Sequence, residues 1–203
     1  MPLQNRVDPF GDLIAVEARG LLLGNRGGRF HRDDRTLGRR RFASRQWICC
    51  VLDFKGRHRD VWGRGYTELF FLDEVTAFAA GHRPCFECRR KEALAFAALF
   101  PARDARAAAM DRILHTERLD GREKRMHARA IDALPDGIFI HDNGYAFALR
   151  GDALLPWTPS GYGKPRKRPR GATMRVLTPP SIAAVLAAGY APLWHPSARD
   201  AEG

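Results

Sequence analysis

Cys85 and Cys88 stand two residues apart in "GHRPCFECRR", residues 81–90, of a chain that holds only four cysteines. A C-x-x-C turn lets two thiolates face one point, and neighbouring positive charge lowers their pKa so that they serve as metal ligands. Arg83, Arg89 and Arg90 supply that charge. Two thiolates make half of a tetrahedral zinc site, so further ligands must come from elsewhere in the chain. The competing readings are a decayed site of reduced thiols and thioredoxin-like redox chemistry, which lacks its usual setting at the start of a helix after a strand. Cys49 and Cys50 are adjacent in "QWICCVLDF", a β-branched and aromatic run that reads as a buried strand. Adjacent strand residues face opposite sides, so at most one of this pair reaches the knuckle; the plain alternative is two small buried apolar side chains.

A second chemistry is electrostatic. Lys and Arg number 34 against 23 Asp and Glu, a formal charge of +11, and such a field attracts polyanions, nucleic acid first among them. Two stretches concentrate it beside an aromatic residue: "GRRRFASRQW", with Arg39, Arg40 and Arg41, and "YGKPRKRPRG", with Arg166, Lys167, Arg168 and Arg170. Guanidinium and ammonium groups neutralise phosphates while an aromatic ring stacks on bases; surface charge for solubility is the plain reading of either stretch alone. His31 with Asp33 and Asp34 offers imidazole and carboxylates of the kind that hold a divalent metal for phosphodiester hydrolysis. The glycines of "GNRGGRF" lack the spacing of either phosphate-binding loop motif.

The elements that must position these groups follow from pattern. "DLIAVEARGLLL" reads as a strand or bent hairpin, then come the "QWICCVLDF" strand, a second around "DVW" and a third in "YTELFFL", whose Phe70 and Phe71 face opposite sides. Asp73 stands where an N-cap belongs and Gly81 where a C′ residue belongs, which predicts a helix running directly into the knuckle. "KEALAFAALF", "ARDARAAAMDRILHTERL" and "EKRMHARAIDAL" predict three further helices. "GIFIHDNGYAFALR" predicts a hairpin turning at Asn143-Gly144, and a last helix follows Thr178 and closes at Gly189. Neither a secretory signal nor an apolar run of about 20 residues is found, and four cysteines are too few for a secreted disulfide scaffold. A cytoplasmic protein without membrane contact is expected.

"FFLDEVTAFAAGHRPCFECRR" resembles the second half of the N-terminal zinc-binding domain of the Ada DNA alkyl-phosphotriester repair proteins, and Gly81, His82, Arg83, Pro84, Cys85, Cys88 and Arg89 fall on its motif. The resemblance covers roughly 20 to 25 residues; the whole chain also resembles uncharacterised bacterial proteins. It implies a small mixed α/β element, at about residues 45–100, that binds zinc. The family's first cysteine pair is missing here. Cys50 and His58, in "KGRHRD", are the candidates nearest to that missing pair, imidazole being an acceptable zinc ligand. The family's methyl-accepting role finds no matching residue and is not carried over.

The expectation is therefore an α+β single domain over residues 1–203, with the Ada-like element, a helical segment at about 101–134, and a hairpin and C-terminal helix at about 135–195. Its expected function is nucleic-acid binding, DNA foremost, with Cys85, Cys88, Cys50 and His58 around zinc. Phosphates would meet Arg39, Arg40, Arg41, Arg83, Arg89, Arg90, Arg166, Lys167, Arg168 and Arg170. The alternative is a metal-dependent enzyme acting on nucleic acid or nucleotides.

Overall fold

The apolar runs of the N-terminal half pair into one sheet. In the computed structural model, which describes residues 1–56 and 60–199, it is built from β1 (Arg6–Val7), β2 (Leu13–Ile14), β3 (Leu22–Arg26), β4 (Trp47–Val51), β5 (Leu69–Phe71) and β6 (Arg83–Pro84). Their order is β2-β1-β5-β3-β4-β6. β3 and β4 are antiparallel, with Leu23 opposite Cys50 and Gly24 opposite Cys49. β6 joins β4 in parallel, with Ile48 opposite Arg83 and Cys49 opposite Pro84. A parallel partner needs a crossover, and α1 (Glu74–Ala79) lies within it.

That helix begins where the sequence predicts. The Asp73 carboxylate accepts from the Thr76 backbone N–H at 2.8 Å and from the Thr76 hydroxyl. Gly81 follows the C-cap Ala80 with φ +86°, a conformation that disfavours any side chain. A Cβ there would also come within 2.7 Å of the Arg118 side chain. All six residues of α1 are buried. Phe78 packs in one apolar cluster, Val75 and Ala79 in a second and Ala77 in a third.

The second sheet is antiparallel throughout. After α2 (Arg90–Ala98) and α3 (Ala107–Arg118), a short hairpin of β7 (Leu119–Asp120) and β8 (Glu123–Lys124) leads into β9 (His127–Ala130). The chain continues through β10 (Phe139–Asp142), β11 (Tyr145–Arg150), β12 (Ala153–Thr158), β13 (Gly161–Tyr162), β14 (Arg166–Lys167) and β15 (Thr173–Val176) to α4 (Pro180–Ala187). The order is β13-β12-β11-β10-β15-β9, with β14 against β12. Ile138 and Ile140 face Phe96, Met110 and Ile182 on one side, while Phe139 faces Leu72 and Val75 on the other. With four α-helices among the described residues, 21% helix and 27% strand, the architecture is α+β.

Three local expectations are corrected. "EKRMHARAIDAL" has good helix formers, yet β9 pairs with β15, so tertiary pairing overrides propensity. "DVW" is no strand: Trp62 sits at φ +59°, its backbone N–H on the Glu68 carboxylate at 2.8 Å. Thr178 does not cap α4; its hydroxyl accepts from the Phe139 N–H at 2.9 Å and Pro179 takes the cap position. The hairpin at Asn143-Gly144 forms as expected, both residues having positive φ.

α3 is fastened to β6 by charge. Arg83 and Asp111 form a two-pronged pair at 2.9 and 2.8 Å, with side chains only 2% and 8% exposed. Removing one partner of a buried pair strands the other charge. Asp111→Ala is therefore expected to destabilise the fold by about 3–5 kcal/mol in urea unfolding, and Asp111→Asn, which keeps one acceptor, by less.

Candidate metal centre and basic cavity

Strand alternation on β4 separates the adjacent cysteines. Cys49 enters the core with Leu69 and Phe71 and accepts from the Arg89 guanidinium at 3.3 Å; burial pushes its thiol up to about 12. Cys50 faces the other way, among Leu23, Phe70 and the knuckle. The Cys85 N–H donates to the Cys49 carbonyl at 3.0 Å, so the β4–β6 ladder carries the knuckle onto Cys50. The sulfurs of Cys50, Cys85 and Cys88 all lie within 4.8 Å of one another.

This cluster fits a thiophilic metal. A tetrahedral zinc with bonds of ~2.3 Å holds its sulfurs roughly 3.8 Å apart, a spacing within the 4.8 Å bound of this cluster. Cys85 is the natural thiolate: hydrogen bonds from the Cys50 thiol and then the Cys88 thiol hold it far below the ordinary range, helped by the N–H groups of Cys88 and Glu87. The Glu87 N–H contact measures 3.4 Å. Cys50 is pushed up chiefly by donating to Cys85 and Cys88. At Cys88 the hydrogen bond with Cys50 pulls downward, but the bond with Cys85 and burial outweigh it and the thiol rises. Three thiols sharing protons this closely are a donor set that a soft cation would displace protons from. Cys50 and Cys85 are buried and Cys88 half-buried. His58 lies outside the described residues.

The flanking arginines divide. Arg90 is exposed at the start of α2. Arg83 and Arg89 are not phosphate contacts: Arg83 is bound to Asp111, and Arg89 is paired with Glu74 at 2.8 Å with both side chains at most 5% exposed. Glu74 also accepts from the Tyr190 hydroxyl at 3.0 Å and the Leu193 N–H at 2.9 Å. Each of these two buried guanidinium groups is given a carboxylate, which offsets its desolvation.

Arg39, Arg40 and Arg41 are exposed at the mouth of a cavity of about 610 Å³ that Phe42 and Trp47 also line. Arg122, from the β7–β8 turn, and Arg175, from β15, join them. The second basic stretch is less free than its prolines suggest. β14 pairs with β12, with Ala153 opposite Lys167 and Leu154 opposite Arg166. Arg168 donates to the carbonyls of Ile131 and Leu134, while Arg166, Lys167 and Arg170 remain exposed.

The candidate group His31, Asp33 and Asp34 does not assemble. The His31 ring is buried against Trp62, with Nδ1 2.8 Å from the Thr67 hydroxyl and Nε2 3.1 Å from the Gly63 carbonyl. Asp33 is instead exposed and paired with Arg29, and Asp34 accepts from Thr36. Sequence reasoning missed Arg122 and Arg175 at the cavity mouth, since each is a lone arginine in its own stretch.

If the three sulfurs hold zinc, one ion per chain will be found by elemental analysis, and cobalt substitution will give an intense thiolate-to-metal charge-transfer band. Cys50→Ser and Cys88→Ser should each abolish the band and, like a chelator on the wild type, lower stability by several kcal/mol, roughly the binding energy lost. Cys49→Ser should keep the band. Equal loss from Cys49→Ser would place the ligand on the wrong face of β4.

Comparison of this chain with models of protein families, with curated proteins and with solved structures finds no match.

Proposed function

We infer that this is a nucleic-acid-binding protein, with DNA as its first target, in which Cys50, Cys85 and Cys88 hold a structural zinc ion. The observation that carries the reading is convergence: Arg39, Arg40, Arg41, Arg122 and Arg175 come from three separate segments to one cavity mouth beside Phe42. Charge placed only for solubility has no reason to gather. Phosphate contacts position a nucleic acid, and an aromatic ring at the same place offers a base a stacking surface. The order of β5, α1 and knuckle supports reading residues 45–100 as an Ada-like element, and the metal there would hold β4, β6 and the start of α2 together. The enzyme alternative, which drew on either the metal or the group at residues 31–34, keeps the first, while the second does not assemble.

Binding of a labelled duplex and of its single strands, followed by fluorescence anisotropy from about 50 mM salt upward, tests this. Replacing Arg39, Arg40 and Arg41 together by Gln should weaken duplex binding about ten-fold or more and lower the log–log salt slope by about 0.9 per lost contact, with the melting temperature nearly unchanged. Absence of salt-sensitive binding by the wild type to either form would overturn the reading.

A further inference from the structure

The deep end of the same cavity is chemically unlike its mouth. Arg83 and Arg89 each meet a carboxylate, but Arg26, Arg118 and Lys124, which also line the cavity, do not. Arg26 and Arg118 are each only 1% exposed. Arg26 donates to the Gly11 carbonyl at 2.8 Å, to the Arg41 carbonyl at 3.3 Å and to the His82 ring at 3.4 Å. Arg118 donates to the carbonyls of Gly81 at 2.9 Å and Arg45 at 2.7 Å, and its buried Nε has no partner. Lys124 donates to the Ala79 carbonyl. Both guanidinium groups stack on Trp47, their central carbons 3.8 and 4.0 Å from its ring centroid.

Carbonyl oxygens and a ring face satisfy hydrogen-bonding geometry without cancelling charge. Three cationic side chains are thus held together, Arg26 and Arg118 almost fully buried and Lys124 partly so, none of them in an ion pair among the described residues, although Asp12 and Glu123 line the same cavity. Carboxylates act on them only without direct contact: Asp8 and Asp12 on Arg26, Asp8 on Lys124 and Asp111 on Arg118. Burial and then mutual repulsion push Lys124 down to about 7 and Arg26, with burial again the main cause, to about 9. Keeping such a cluster costs stability unless something anionic enters. The cavity's volume is that of a small-molecule site, in the range of about 300–1,000 Å³, and too small for the body of a duplex. A phosphomonoester carries about −1.5 to −2 charges where a diester carries one, and so answers three cations better.

We propose that the floor formed by Arg26, Arg118 and Lys124 binds a terminal phosphomonoester, that of a nucleotide or of a nucleic-acid strand end, with Phe42 and Phe10 at the cavity wall receiving the base. The site deepens the nucleic-acid reading above and rests on it only for the strand end. A free nucleotide presents the same group, and the experiment separates the two sources.

Isothermal titration and Trp47 fluorescence on the full chain would compare inorganic phosphate, deoxyadenosine 5′-monophosphate and deoxyadenosine. Anisotropy would compare single strands with 5′-phosphate and 5′-hydroxyl ends. The monophosphate should bind at least ten-fold more tightly than the nucleoside and raise the melting temperature, and the phosphorylated strand should bind at least ten-fold more tightly than its hydroxyl twin. Lys124→Met and Arg118→Met should each remove at least ten-fold from monophosphate affinity while circular dichroism reports a native fold. If Arg118→Met does not fold, Lys124→Met with the exposed Arg122→Gln decides. Equal affinity for nucleotide and nucleoside overturns the proposal, as does monophosphate binding undiminished by Lys124→Met. Polymer binding that is salt-sensitive but indifferent to end phosphorylation, with no monophosphate binding, would sink this site and leave the nucleic-acid reading standing. Monophosphate binding without any polymer binding would do the reverse.

Discussion

The parallel pairing of β6 with β4 is the contact on which both candidate sites depend. It is only two residues long on the β6 side, but it sets the Cys85 N–H on the Cys49 carbonyl. The C-x-x-C turn is thereby delivered to the face of β4 that carries Cys50. The opposite parity of the same strand sends Trp47 to the cavity and Cys49 into the core. Because side chains alternate with a period of two, a register slip of one residue would exchange the faces and dismantle both sites together.

What holds that short pairing is buried charge from outside the sheet. Asp111 on α3 grips Arg83 of β6, and Glu74 on α1 grips Arg89 just past the knuckle. Each arginine is thus an anchor for the turn, fixing its orientation more than adding stability, since desolvating both charges offsets much of their attraction. α1 is buried on every side and stands among three apolar clusters, so the knuckle, which follows it, is positioned by a close-packed helix. A metal at the three sulfurs would add a covalent-strength tie at the end of an already rigid arm.

The same arithmetic of charge distinguishes the cavity. Arg83 and Arg89 each meet a carboxylate, whereas Arg26, Arg118 and Lys124 meet carbonyls and, for the two arginines, an indole. The Arg26 guanidinium holds the Arg41 carbonyl, and the Ala43 and Ser44 N–H groups bond the Arg26 carbonyl. The segment that carries Arg39, Arg40 and Arg41 is therefore seated on Arg26.

Local chemistry made several elements legible from the residues alone. Asp73 and Gly81 bound α1, because a carboxylate caps free N–H groups and glycine accepts positive φ. Asn143-Gly144 marks its hairpin for the same backbone reason, and alternation on "WICCV" showed that only one of two adjacent cysteines could join the knuckle. Which one, and that it brings three sulfurs together, was decided by strand pairing between segments 35 residues apart or so in the chain, a register that no local pattern encodes. The helix expected at "EKRMHARAIDAL" gave way to β9 because its partner β15 lies far downstream. Likewise the arginines of the knuckle and those of the cavity look alike as letters. An ion pair with Asp111 or Glu74, or a place on Trp47 with no paired carboxylate, is what separates an anchor from a binding group, because the fate of a guanidinium depends on the charges that tertiary structure sets around it.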